Sequence, residues 1–243
     1  MTTVVTWAEA YDCYWETRHV PELLGRVGRE GAVDAWDELE RRLVLECDMV
    51  FPASFAALPR LVRLAPRSAR ARGLAGAIVR CAAGPHGCDE LFARCSGAVA
   101  ELGEVLDRHL AARPADYLSA FLDLLAVRGE YHWSAVLGDF SDDFYEVACP
   151  HCATDVTIAI GVHGRYSAIR DWGRGDVDRR PLRPADTEGL AGTGRWMYAT
   201  AVRDGQDALA DGIVQLFGRA ECPRCASVFG VADEYAAAHR PVM

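Results

Sequence analysis

Apolar residues recur at helical spacing through the first 140 positions of this chain and at alternating spacing only beyond them. Ala32, Trp36, Leu39 and Leu43 fall at i, i+4, i+7 and i+11, one face of a helix, with Asp37, Glu38, Glu40 and Arg41 on the other. A second stripe, Phe55, Leu58, Leu61, Val62 and Leu64, follows Pro52, which a first helical turn tolerates. Pro59 is expected to bend or interrupt that helix and Pro66 to close it. The next helix, over 68–82, is broken by Gly84-Pro85-His86-Gly87. Residues 88–112 read as one long helix, and Pro114-Ala115-Asp116 opens another with Tyr117, Leu118, Phe121, Leu122 and Leu125 on its apolar face. Successive amphipathic helices joined by short turns predict a bundle or a right-handed solenoid.

The pattern changes near Asp139. Residues 144–148 and 155–161 alternate and are rich in β-branched side chains, the signature of strands. The stretch 170–189, rich in Arg, Asp, Gly and Pro, reads as a surface loop. Two short helices near 195–202 and 206–217 follow it, and a last strand covers 228–231. The predicted architecture is mainly α over 1–138, with a small α+β part over 139–243 that carries a helical insertion at about 162–218.

The alternating segments frame the chemistry. Ala148-Cys149-Pro150-His151-Cys152-Ala153-Thr154 aligns with Glu221-Cys222-Pro223-Arg224-Cys225-Ala226-Ser227. Each is a Cys-Pro-x-Cys turn followed by a small residue, a hydroxyl residue and a strand. A two-residue gap lets both thiolates of one turn reach one ion, and two such turns supply the tetrahedral sulfur set that zinc prefers. Redox Cys-x-x-Cys motifs instead stand alone at a helix start. One structural zinc bound by Cys149, Cys152, Cys222 and Cys225 is therefore expected, in a zinc-ribbon-like geometry with 69 residues inserted between its halves. His151 could substitute for a cysteine but is expected to point outward.

Composition narrows the rest. All 26 basic residues are Arg, and neither Lys nor Asn occurs, so Schiff-base, P-loop and Ser-Lys chemistry are excluded. This bias, with abundant Ala, Gly and Val, points to a GC-rich, actinobacterial type of source. The net charge of −9 disfavours nucleic acid, whose phosphates require clustered positive charge, and suits a basic protein partner. No apolar run approaches the roughly 18–20 residues a membrane span needs. The first residues lack a basic signal-peptide region, so a soluble, cytoplasmic protein with reduced cysteines is expected.

The segment from Trp36 to Leu61, with Trp36-x-x-Leu39, Phe51, Ala53-Ser54-x-Ala56-Ala57-Leu58-Pro59-x-Leu61, resembles bacterial HEAT-like repeat proteins often found beside toxin or accessory genes. The resemblance continues to Ala82. Glu46-Cys47-Asp48 stands where the family pattern has a turn around His-Gln-Gly. The resemblance implies a helical-repeat scaffold for protein contact, with Glu46, Asp48 and Phe51 as partner-contact candidates, and an immunity- or antitoxin-like role. It implies no catalytic residue.

Two other constellations bear on function. His132 beside Trp133, followed by Asp139, Asp142 and Asp143, offers a base and carboxylates for an accessory biosynthetic enzyme with a pocket at the domain junction. Packing and a solvated turn are the ordinary account of the same residues. Cys81, Cys88 and Cys95 around His86 could suggest a second metal, but buried cysteines usually belong to cores. The leading expectation is a non-enzymatic, zinc-stabilised binding scaffold. The enzyme is the alternative, and a nucleic-acid or transcription adaptor is disfavoured by charge.

Overall fold

The computed structural model describes residues 6–28, 32–45, 49–82, 89–136, 143–171 and 173–238. The chain divides into two compact units, Met1–Ala135 and Val136–Val242. It is mainly helical, with small antiparallel sheets. Among the described residues no helix is long and apolar enough to cross a membrane.

The first unit comprises α1 (His19–Arg26), α2 (Val33–Leu43), a two-stranded ribbon of β1 (Val44–Leu45) and β2 (Met49–Val50), α3 (Pro52–Leu64), α4 (Ala69–Ala82), α5 (Asp89–Arg94), α6 (Ser96–Ala111), α7 (Tyr117–Val127) and α8 (Tyr131–Val136). The stripes expected from spacing are the buried faces: Trp36, Leu39 and Leu43 on α2, and Phe55, Leu58, Leu61 and Val62 on α3. Ser54 joins these two helices. Its hydroxyl accepts from the Phe51 N–H at 3.1 Å and donates to the Leu43 carbonyl at 2.6 Å, satisfying an orphan group at each helix end.

Two local expectations need correction. Residues 88–112 are not one helix, because α5 and α6 are separated at Cys95, whose backbone leaves the helical region at ψ 4°. Pro59 does not interrupt α3, which runs through it from Pro52 to Leu64. The two departures meet at one hydrogen bond. A proline inside a helix leaves the carbonyl four residues earlier without its donor. Here that carbonyl, on Phe55, accepts from the Cys95 thiol at 3.4 Å. Burial raises the Cys95 pKa, which keeps the thiol protonated as a donor. Cys95→Val should orphan the Phe55 carbonyl and destabilise the first unit by about 1–3 kcal/mol, whereas Cys95→Ser, which restores a donor, should lose less. Equal losses in denaturant unfolding would remove this role from the thiol.

The α4–α7 contact contains a buried charge. Asp123 is 2% exposed and lies against Gly76, where an added Cβ would stand 2.1 Å from its Oδ2. Burial raises the Asp123 pKa from 3.8 to about 7, opposed by Arg80, whose Nε is 2.8 Å from Oδ1. A carboxyl with a raised folded-state pKa contributes stability that is full below its unfolded value and is lost as pH rises through the folded one. Wild type should therefore lose stability between about pH 4 and 7 relative to Asp123→Asn. Thermal melts across that window check this, and parallel pH profiles for the two proteins would refute it.

The second unit opens with an antiparallel meander of β3 (Asp143–Ala148), β4 (Asp155–Ile160), β5 (Tyr166–Asp171) and β6 (Gly175–Pro181), paired in that order. Helices α9 (Gly192–Arg203) and α10 (Asp207–Leu216), a hairpin of β7 (Arg219–Glu221) and β8 (Val228–Gly230), and α11 (Val231–Ala238) complete it. The stretch read as a loop at 170–189 thus contains the end of β5 and all of β6, and the insertion expected to be helical begins as a strand pair that widens the sheet. Its sequence lacks alternation because β6 is an edge strand, exposed along most of its length and held by backbone bonds to β5. Pro181 ends this strand, where a missing N–H is tolerated. On one face of the sheet Tyr145, Val147, Val156 and Ile158 are buried, and Tyr145 meets Tyr235 of α11 edge-on with ring centroids 5.5 Å apart.

Candidate metal centre

Each Cys-Pro-x-Cys segment is the turn of a hairpin, the first joining β3 to β4 and the second β7 to β8. The two turns have the same backbone. In the first, the Cys149 N–H donates to the Thr154 carbonyl at 2.9 Å and the Ala153 N–H to the Cys149 carbonyl at 2.8 Å. In the second, Cys222 bonds to Ser227 and Ala226 to Cys222, both at 2.9 Å. The small residue after each second cysteine, Ala153 or Ala226, is in the left-handed region at φ 56° or 58°. That reversal turns the following amide and hydroxyl back toward sulfur.

The four sulfurs converge to within 4.8 Å of one another. Cys149 Sγ lies 3.7 Å from Cys225 Sγ, and Cys152 Sγ 3.7 Å from Cys222 Sγ. A tetrahedron with metal–sulfur bonds of about 2.3 Å has edges of about 3.8 Å, so these separations fit a single tetrahedral ion. They are too long for a disulfide bond, whose sulfurs stand about 2.05 Å apart. The four thiols form a possible metal site. Among the described residues no other group of His, Cys, Asp and Glu converges in this way.

The second cysteine of each turn is a readier thiolate than an ordinary cysteine. Hydrogen bonds from the Thr154 hydroxyl and amide lower the Cys152 pKa to about 6, and Ser227 lowers Cys225 in the same way. Cys222, fully buried, is instead pushed up to about 12 by burial. A bound cation would offset that penalty, because metal ligation requires the deprotonated sulfur. Arg224 crosses between the turns, its NH1 donating to Thr154 Oγ1 at 3.2 Å and so orienting the hydroxyl beside Cys152. The aligned hydroxyl residues are visible in sequence, but Arg224 carries no signal beyond its place inside the second turn. His151 is exposed and outside the converging set.

His132 lies on α8, its ring edge-on to Trp133 at 4.7 Å. Asp143 opens β3, and Asp139 and Asp142 lie outside the described residues. Glu46 and Asp48 likewise lie outside them, while half-buried Phe51 precedes α3. Cys81 and Cys95 are core residues of the first unit, and Cys88 and His86 fall outside the described set. In the first unit Arg70 is bonded to Asp37 and Glu40, and Arg72 is 3.6 Å from Asp116.

Fold and site define a two-unit protein with a helical first unit and a four-cysteine candidate metal centre in a β-rich second. No family model, curated protein or solved structure matches the chain.

Proposed function

We propose that the chain is a protein-binding scaffold whose second unit is held together by one structural zinc ion. The observation that carries this reading is the sulfur tetrahedron. Four ligands from the chain fill the coordination sphere of a tetrahedral ion, which leaves no position for a catalytic water. The metal is then a staple, and zinc is the ion that most often occupies such a sulfur cage as one. The resemblance over Trp36–Leu61 supports a HEAT-like repeat in the first unit and an immunity- or antitoxin-like role. The net charge of −9 supports a basic protein rather than nucleic acid as partner.

The test has two readouts. Elemental analysis of purified, untagged protein should give one zinc per chain, and a red, iron-loaded protein would overturn the choice of ion. Affinity capture from a native extract should recover a basic protein in stoichiometric amount. Recovery of no protein, together with a bound metabolite, would overturn the scaffold.

A further inference from the structure

The loop before α1 displays two aromatic side chains to solvent. Tyr14 is 56% and Trp15 76% exposed, and Trp15 holds φ 63°. A bulky residue in the left-handed region is an outlier, since glycine or asparagine takes that conformation far more readily. The hydrophobic effect gives no reason for a tryptophan here, because the ring is mostly in water. Folding of the chain alone therefore does not account for its identity.

The surroundings hold the loop rigidly. Asp12, 0% exposed, accepts from the Tyr14 N–H at 2.9 Å and the Glu16 N–H at 3.1 Å. The Asp12 N–H donates to the Glu16 carbonyl and the Trp15 N–H to the Asp12 carbonyl, both at 3.0 Å, which closes the turn. Arg42, thirty residues away on α2, pairs with Asp12 at 2.6 Å, Glu16 at 2.9 Å and Glu38 at 2.5 Å. Its guanidinium also lies over the Tyr14 ring at 4.9 Å, and Tyr11 stacks on Trp15 at 4.7 Å. Strained backbone persists only where its surroundings over-determine it, and such sites cluster where proteins bind or act.

The geometry points to Tyr14 and Trp15 as a preorganised anchor that inserts into an apolar pocket, rimmed by Lys or Arg, on a partner protein. This rests on the scaffold reading and names the contact surface. Exposed tryptophan and tyrosine held in place before binding have the make-up of interface hot spots. The rim sets the partner's charge. Exposed Glu9 and half-buried Glu16 and Glu38 outnumber Arg41 and Arg42, residues 9–16 contain no base, and the charge of buried Asp12 is taken up by Arg42. Arg18 and Glu22 beyond them offset one another.

The first experiment needs no partner. Trp15→Gly relieves the backbone strain, so its melting temperature should stay within about 2 °C of wild type or rise. A fall of more than about 5 °C would make Trp15 a structural residue and overturn the anchor. The second places a photo-crosslinking phenylalanine derivative at position 15 of the full chain, with position 162, where Val162 is 83% exposed, as control. One protein should cross-link from position 15 and not from 162, through a pocket flanked by Lys or Arg. That protein, purified, should bind Trp15→Ala roughly 30-fold or more weakly and bind wild type less well as salt rises. A purified stoichiometric partner that binds Trp15→Ala as tightly as wild type would overturn the anchor and leave the scaffold standing. If wild type recovers no stoichiometric protein and carries a bound metabolite, both fall.

Discussion

Cys222→Ser should yield a protein with well under one metal ion per chain and a second unit that melts more than about 10 °C lower. Cys222 and Cys152 are 70 residues apart in sequence, yet their sulfurs are 3.7 Å apart. An ion bound there closes the whole insertion and joins the β7–β8 hairpin to the β3–β4 hairpin. Structural zinc is worth on the order of 10–16 kcal/mol to the fold that creates its site, comparable to the total stability of a domain at about 5–15 kcal/mol. A serine hydroxyl is a poor substitute for thiolate, and at this fully buried position it would also need a new hydrogen-bond partner. Cys13→Ser is the matched control. That thiol only donates to the Arg41 carbonyl at 3.3 Å, in the other unit. Metal content and thermal melts of both variants check the prediction, and a Cys222→Ser protein with full metal and an unchanged melt would remove the staple.

The second large effect comes from a glycine. Gly218→Ala should destabilise the second unit by about 3 kcal/mol and speed the loss of metal to a chelator. A Cβ at Gly218 would stand 2.3 Å from the Arg183 carbonyl oxygen and 3.0 Å from both the Ala185 nitrogen and the Gln215 oxygen. All three are backbone atoms, so no rotamer change makes room. The close approach is imposed by the paired backbone bonds between Arg183 and Arg219, at 2.9 and 2.8 Å, which seat the start of β7. Moving β7 would displace Cys222 three residues later. The same substitution at Gly73, inside α4 with nothing within 4 Å of an added Cβ, should instead stabilise by about 0.5–1 kcal/mol, because alanine is the better helix former. Denaturant unfolding compares the two, and equal effects would show that close approach at Gly218 does not govern the strand.

The centre was legible because its signal is local and repeated. Two Cys-Pro-x-Cys turns, each followed by a small and then a hydroxyl residue, encode the same hairpin twice, and the structure places all four sulfurs together. Helices with long apolar stripes were legible for the same reason: α4 at Ala69–Ala82 lies within the segment expected from spacing. Strand β6 was not, since an edge strand held by backbone bonds needs no particular side chains. The split at Cys95 and the continuity of α3 through Pro59 were illegible, since the hydrogen bond that links them joins residues 40 apart in the chain.

By itself, then, the order of residues determined that segments with long apolar stripes become helices, that a metal-type cage of four thiols is encoded, and that lysine chemistry is excluded. Those are properties of spacing and side-chain type. The tertiary structure alone decided which carbonyl the Cys95 thiol serves, that Arg42 and buried Asp12 pin an exposed tryptophan in a left-handed turn, and that Gly218 must lack a side chain. These depend on atoms brought together from distant parts of the chain, and local sequence pattern carries no record of which distant groups will meet.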